Sequence, residues 1–102
     1  MPEYELFCLI EINEKVSKPF SVEIAGDESV YKLKERIKDK KQNDLKDVDA
    51  DKLMLWKVDA PDAQAIDLSG LTDTLKPTWK INHYWNPPSE GLIHIYIRIL
   101  GK

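Results

Sequence analysis

Apolar and polar residues alternate in several short stretches of the chain, and this pattern predicts strands. The first stretch is Tyr4–Ile12, and the second, Phe20–Ile24, alternates strictly. The polar segment 13–19 between them ends in a proline, so the two strands are expected to form a hairpin. Leu53–Val58 predicts a third strand. Leu92–Ile99 alternates isoleucine with other residues, which predicts a strand in the interior of a sheet.

One stretch has the spacing of an amphipathic helix. Val30, Leu33 and Ile37 recur at helical intervals with lysine and glutamate between them, and Ser29 stands directly before them as a good N-cap residue. The helix is expected to end near Lys40 or the following lysine.

The remaining segments are irregular. Asp59–Thr78 is interrupted by two prolines and a glycine, so it predicts turns and one short helix. Three leucines in it are expected to anchor it to the core: Leu68, Leu71 and Leu75. The stretch Lys80–Trp85 is compatible with a short edge strand or with a helical turn, and Pro87 ends it in either case.

The order of these elements is strand, strand, helix, strand, irregular stretch, strand. It predicts an α+β fold of the ubiquitin-like β-grasp class, in which a mixed sheet packs on one α-helix. A chain of 102 residues fits a single domain, here taken as 1–102.

The composition and charge of the chain exclude some classes of function. Hydrophobic residues make up 42% and charged residues 32%, as in ordinary globular domains. The formal net charge of -3 argues against binding of nucleic acid by this domain, and no apolar stretch reaches the roughly 20 residues of a membrane span. The start of the chain is acidic and lacks the basic region of a signal peptide.

No residue pattern predicts catalysis, a cofactor, a metal or a small-molecule substrate. Cys8 with His83 or His94 could in principle form a nucleophilic triad, but a thiol inside an apolar strand is more simply a buried hydrophobe. One cysteine and two separated histidines do not make a metal site. Four aspartates lie close together in the sequence: Asp44, Asp47, Asp49 and Asp51. They lack the glycine and the terminal glutamate of a calcium-binding loop, so they are interpreted as a solvated acidic loop. The lysines of the helix are likewise interpreted as a solvated face.

Strand alternation assigns residues to the two faces of the sheet. The side that faces the helix is expected to carry Leu6, Cys8, Ile10, Leu53, Leu55, Ile93, Ile95 and Ile97. The other side, called the outer face below, is expected to carry six residues as a partner-binding surface: Phe7, Leu9, Met54, Trp56, His94 and Tyr96. The alternative is that the Asp59–Thr78 segment, or Trp79 and Trp85, folds over the outer face and covers it.

The last strand, Ile93–Gly101, resembles the last strand of ubiquitin in its aliphatic residues, its histidine and its arginine. Nearly the whole chain is similar to the N-terminal domain of Crinkler effectors, of the fungal type. The most specific part is Asp49–Val58, which reads DADKLMLWKV. Further matching parts are Leu6–Leu9, Phe20–Ile24 with the helix, and Ile81–Trp85 running on to Ile95.

This resemblance implies a non-catalytic N-terminal module that precedes a variable C-terminal effector domain, which this stretch does not contain. It also implies secretion and delivery into a host cell, to the cytoplasm or nucleus; without that delivery the domain would be cytoplasmic. The segment Leu6–Glu11 lacks the Ala-Lys ending of the oomycete translocation motif, and the terminal Gly101–Lys102 lacks the two glycines that conjugation requires.

Three hypotheses follow for the function. The first is an N-terminal effector module that binds a protein partner or a second copy of itself through the outer face. The second is an intracellular ubiquitin-like or Ras-binding-type adaptor, which would use the edge of Phe20–Ile24 with Lys34 and Lys38. The third is a small cysteine hydrolase that depends on Cys8.

Overall fold

A computed structural model describes residues 3–12, 15–16, 18–62, 64, 66, 74–85 and 88–99. The first two long strands pair as the sequence predicts. Strand β1 (Glu3–Ile12) runs antiparallel to β3 (Phe20–Ala25), with Cys8 opposite Phe20. A two-residue strand, β2 (Lys15–Val16), extends the hairpin along the far end of β1.

Helix α1 (Val30–Lys40) begins and ends where its pattern predicts. The Ser29 hydroxyl accepts a hydrogen bond of 3.3 Å from the Lys32 N–H, which satisfies one of the free donors of the first turn. Three helix residues are fully buried, which confirms the predicted apolar face: Val30, Leu33 and Ile37. A second, one-turn helix, α2 (Gln42–Leu45), follows directly.

The third long strand, β4 (Leu53–Ala60), follows a 3-10 turn at Ala50–Lys52. It pairs antiparallel with β5 (Ile93–Ile99), with Leu55 opposite Ile97. Strand β5 also pairs in parallel with β1. It therefore lies in the interior of the sheet, as its alternating isoleucines predict.

The segment between β4 and β5 is anchored to the sheet at Leu75. Leu75 is buried and its N–H donates to the Leu55 carbonyl over 2.7 Å, which confirms one of the three predicted anchors. Leu68 and Leu71 lie outside the described residues. A helical turn, α3 (Ile81–Tyr84), forms in the stretch for which the sequence leaves two structures open.

The strands form one curled mixed sheet in the order β2-β1-β5-β4, with β3 beside β1 on the same edge as β2. Helices pack on one face of this sheet. The molecule therefore has the predicted α+β class, with a sheet and helix arrangement compatible with a β-grasp.

The main core lies between the sheet and α1. Seven of the eight sheet residues predicted to face the helix are in it: Leu6, Cys8, Ile10, Leu53, Leu55, Ile95 and Ile97. The prediction for Ile93 is wrong, because Ile93 packs with a second apolar cluster instead. Ile93 lies opposite Ala60, beyond a register shift in β4 where Asp59 adopts a φ of 45°. Alternation counted from Ile95 does not carry across such an irregularity.

Candidate functional site

Three of the six residues predicted on the outer face lie side by side there. Leu9 of β1 and Trp56 of β4 both stand opposite Tyr96 of β5, which lies between them. The rings of Trp56 and Tyr96 have centroids 6.4 Å apart. The predicted facing of these three residues is therefore confirmed.

Their exposure differs from the expectation. Leu9, Tyr96 and Trp56 are 1%, 2% and 6% exposed, and with Ile93 they form a small apolar cluster separate from the main core. Ile66, from the segment that follows β4, packs against this cluster. A bare face of this size would leave large aromatic surface in water, so a covering side chain stabilises it. The alternative of a covering segment is thus supported at Ile66.

Neither of the two tryptophans considered as covers is among the described residues that pack against this cluster. Trp85 is buried in the main core, where its Nε1–H donates to Asp59 Oδ1 over 2.9 Å. Trp79 is 38% exposed and packs beside His83 and Tyr84, with ring centroids 4.2 and 5.8 Å away.

His94 has a structural position and is not displayed to solvent. It is 2% exposed, and its Nδ1 accepts the Phe7 N–H over 3.0 Å. Its Nε2 lies 2.6 Å from the Ser89 carbonyl. Because Nδ1 acts as an acceptor, the proton of the neutral ring is on Nε2, which donates to Ser89. At the start of β5, the Phe7 N–H is therefore paired with the imidazole of His94 and not with a backbone carbonyl of the neighbouring strand.

The accessible part of the predicted surface is its rim. Phe7 is 38% exposed, and Met54 is partly exposed. Val58 and Ile66 are also partly exposed and pack against the buried cluster. These four residues, Phe7, Met54, Val58 and Ile66, are called the outer rim below. Of the six residues predicted to bind a partner, only Phe7 and Met54 present substantial apolar surface.

A polar network crosses the outer face beside the cluster, and the sequence patterns do not reveal it. The Tyr96 hydroxyl donates to Glu11, and Arg98 Nε lies 3.2 Å from the other carboxylate oxygen of Glu11. The hydrogen bond from Tyr96, followed by the Arg98 interactions, lowers the pKa of Glu11 against the opposing effect of burial. Burial and the bond to Glu11 raise the pKa of Tyr96. Only the parallel register of β1 and β5 brings Glu11 opposite Arg98, and a single sequence does not reveal register.

Among the described residues, one buried polar atom in this region has no hydrogen-bond or ion-pair partner. Trp56 Nε1 is buried and makes no hydrogen bond within the part of the chain that the structure describes. Arg98 Nε, by contrast, is compensated by Glu11 although its geometry falls short of a hydrogen bond.

No hydrogen bond joins Cys8 to His83 or His94 in the described part of the chain. Cys8 is fully buried, its Sγ is 3.6 Å from the Leu6 carbonyl, and burial raises the pKa of its thiol. His94 uses both ring nitrogens, and His83 is exposed beside Trp79. A thiol in this setting is far from the accessible thiolate that nucleophilic catalysis needs.

The other candidates are placed as follows. Asp44, Asp47 and Asp49 lie at the surface, fully or partly exposed, and the side chain of Asp51 lies outside the described residues. Among the described residues, no three histidine, cysteine or acidic side chains converge where they could hold a metal ion. Lys34, which the Ras-binding hypothesis requires at the surface, is only 8% exposed.

The helices do not have the dimensions of a membrane span. Within the described ranges, none has the length and apolar character to cross a bilayer.

Comparison with known proteins identifies a family. The family model described as the Crinkler effector protein N-terminal domain matches residues 4–98, which is nearly the whole chain. A search of curated proteins finds no match.

Proposed function

Because this chain belongs to the family of Crinkler effector protein N-terminal domains, we propose that it is a non-catalytic protein-interaction and targeting module, the N-terminal part of a secreted effector that acts in host cells. Its site of action would be the host cytoplasm or nucleus. Its contact with a host protein would be made by the outer rim. The observation that carries this proposal is the apolar surface left accessible on the outer face, by Phe7 on β1 and by the partly exposed Met54, Val58 and Ile66 around the buried cluster.

The outer rim has the composition of a small recognition surface. Phe7 offers an aromatic ring that is 38% exposed, and Met54 offers a flexible thioether that packs against the buried cluster. Aromatic and methionine side chains around a desolvated centre are enriched in protein interfaces. The ring of Phe7 also lies 6.4 Å from that of His94, whose fixed position restricts how far Phe7 moves. A preorganised anchor loses less conformational entropy on binding.

The non-catalytic part of the proposal is supported by the position of the single thiol. Cys8 is enclosed in the main core, and activation would require opening the sheet. We therefore expect Cys8→Ala to leave the function of the chain unchanged.

The proposal is tested by affinity enrichment from host-cell extract followed by mass spectrometry. The chain is compared with the double variant Phe7→Ser/Met54→Ser. A matched control is Tyr31→Ser, which removes an aromatic residue that is 46% exposed on α1, away from the outer face. We expect the double variant to lose specific partners that the control retains.

The equilibrium affinity for one recovered partner then gives the size of the effect. Loss of two apolar contacts at an interface centre should weaken binding at least about 10-fold, corresponding to about 1.4 kcal/mol. If the double variant and the control bind alike while both melt like the wild type, the outer rim is not the contact surface.

A further inference from the structure

Strand β3 lies at an edge of the sheet. One hydrogen bond shows which of its backbone N–H and C=O groups point out of the sheet. The Phe7 N–H donates to His94 Nδ1 on the β5 side of β1, so it points away from β3. Phe7 stands opposite Ser21. Because backbone directions alternate along an antiparallel pair, Ser21 and Glu23 both point their N–H and C=O groups out of the sheet.

These outward groups are only partly satisfied. The Glu23 carbonyl accepts a hydrogen bond of 3.4 Å from Arg36, and the Ala25 carbonyl accepts the Glu28 N–H. Among the described residues, the N–H groups of Ser21 and Glu23 and the Ser21 carbonyl have no partner in the chain. Among the described residues, the edge at β3 therefore keeps backbone donors and an acceptor with which a further strand can pair.

We propose that two copies of this chain pair through β3, antiparallel and about a two-fold axis at Val22. In this register Ser21 of each copy stands opposite Glu23 of the other. Each such pair exchanges two N–H to carbonyl hydrogen bonds, so the dimer gains four and every unpaired group named above is satisfied. A one-residue shift would instead oppose groups that already bond to β1.

The surroundings of the edge favour a second copy as the occupant. An open groove of about 440 Å³ lies between β3 and α1. It is lined by residues of both signs: Glu5, Glu23 and Asp39 as acids, and Arg36 and Lys40 as bases. A two-fold contact brings a patch against itself, so a patch of one sign would repel its copy while a mixed patch is self-complementary.

Arg36 does not block the pairing. A carbonyl oxygen has two lone pairs, so Glu23 accepts the Ser21 N–H of the second copy while it keeps Arg36. The side chain of Val22 is 5% exposed and faces the main core, which leaves the axis free of bulk on the outer side.

Sedimentation of the chain from about 10 µM to about 1 mM tests the dimer, since an edge contact of this size should have a dissociation constant on the order of 100 µM. The mass should rise toward twice that of the monomer. Glu23→Pro removes two of the four hydrogen bonds per dimer, because it deletes an outward N–H that β1 does not use. We expect it to weaken the dimer at least about 30-fold, which equals about 2 kcal/mol.

Glu23→Gln is the matched control, since it removes the charge and keeps the N–H; its dimer should persist. A measurement on the wild type needs no variant: the amide resonances of Ser21 and Glu23 should shift with concentration. A chain that stays monomeric at about 1 mM, or a dimer that Glu23→Pro leaves intact, would overturn the proposal. Shifts centred on Phe7 and Met54 would also overturn it and would instead assign self-association to the outer rim.

Discussion

The two faces of the sheet are built from the same alternating strands but differ in how they are closed. On the helix side, α1 covers the sheet with a continuous row of buried aliphatic side chains, and the core there is large. On the outer side, four buried residues are closed by partly exposed neighbours and one polar network. Alternation decides which face a side chain joins. The chain that folds over that face decides whether it meets solvent.

This difference also decides which face of the sheet is available to a partner. On the helix side a fixed, regular element covers the sheet, so most of that face becomes core. The outer face is covered at Ile66 but leaves Phe7 38% exposed. A partly closed apolar face retains surface for a partner while its centre stays dry.

The largest expected effect is in the main core. Leu33→Ala and Ile95→Ala should each lower the free energy of unfolding by about 2–5 kcal/mol, because both side chains are fully buried. Leu9→Ala on the outer face should fall at the low end of that range, at about 2 kcal/mol, because its small cluster can relax or admit water. Urea denaturation measures all three.

A loss below about 0.5 kcal/mol for Leu33→Ala or Ile95→Ala would contradict the assigned facing. A loss for Leu9→Ala equal to that of Leu33→Ala would show that the two faces are equally well closed.

The sequence predicts the strands, the helix and its cap, because each depends on local periodicity and on single residues such as Ser29. It predicts that Trp56 and Tyr96 share the outer face for the same reason. It does not predict that Trp56 is buried, since this depends on the path of a segment without periodicity. The Ile93 prediction fails because the register shift near Asp59 carries no glycine or proline signal within β4.

The polar contacts do not follow from periodicity at all. Alternation assigns His94 to the outer face, yet its ring bonds to backbone groups of Phe7 and Ser89. Those partners are 87 and 5 residues away, and the sequence does not show that they meet.

A smaller effect is expected from the two buried tryptophans, one in each apolar region. Trp85→Phe removes the hydrogen bond to Asp59 and should cost about 1–3 kcal/mol, because a carboxylate partner is left behind. Trp56→Phe removes an N–H without a partner in the described chain, so its cost should stay below about 1 kcal/mol.

A double-mutant cycle of Trp85→Phe with Asp59→Gly checks the first value. Glycine accommodates the φ of 45° at this position, so the cycle isolates the hydrogen bond from backbone strain. A coupling energy near zero would show that the hydrogen bond between Trp85 and Asp59 does not stabilise the fold. A larger loss of unfolding free energy for Trp56→Phe than for Trp85→Phe would contradict the expected difference between the two tryptophans.

The smallest effect concerns the pH dependence of the outer face. The pKa of Glu11 is lowered in the folded chain, mainly by the Tyr96 hydrogen bond, from an ordinary value of 4.5. A lowered folded pKa contributes stability that is present above the unfolded value and is lost as the pH falls through the folded value. The contribution should be under about 1 kcal/mol, because the side chain of Arg98 is 42% exposed to screening solvent.

Glu11→Gln should therefore be less stable than the wild type near neutral pH, and the difference should shrink as the pH falls below about 4.5. Urea midpoints between about pH 7 and about pH 3 measure this, with Glu5→Gln as the control because Glu5 is an exposed glutamate of the same strand. If the difference between wild type and Glu11→Gln does not change with pH, the Glu11 carboxylate does not stabilise the junction of β1 and β5. The outer face would then be held by its apolar cluster alone.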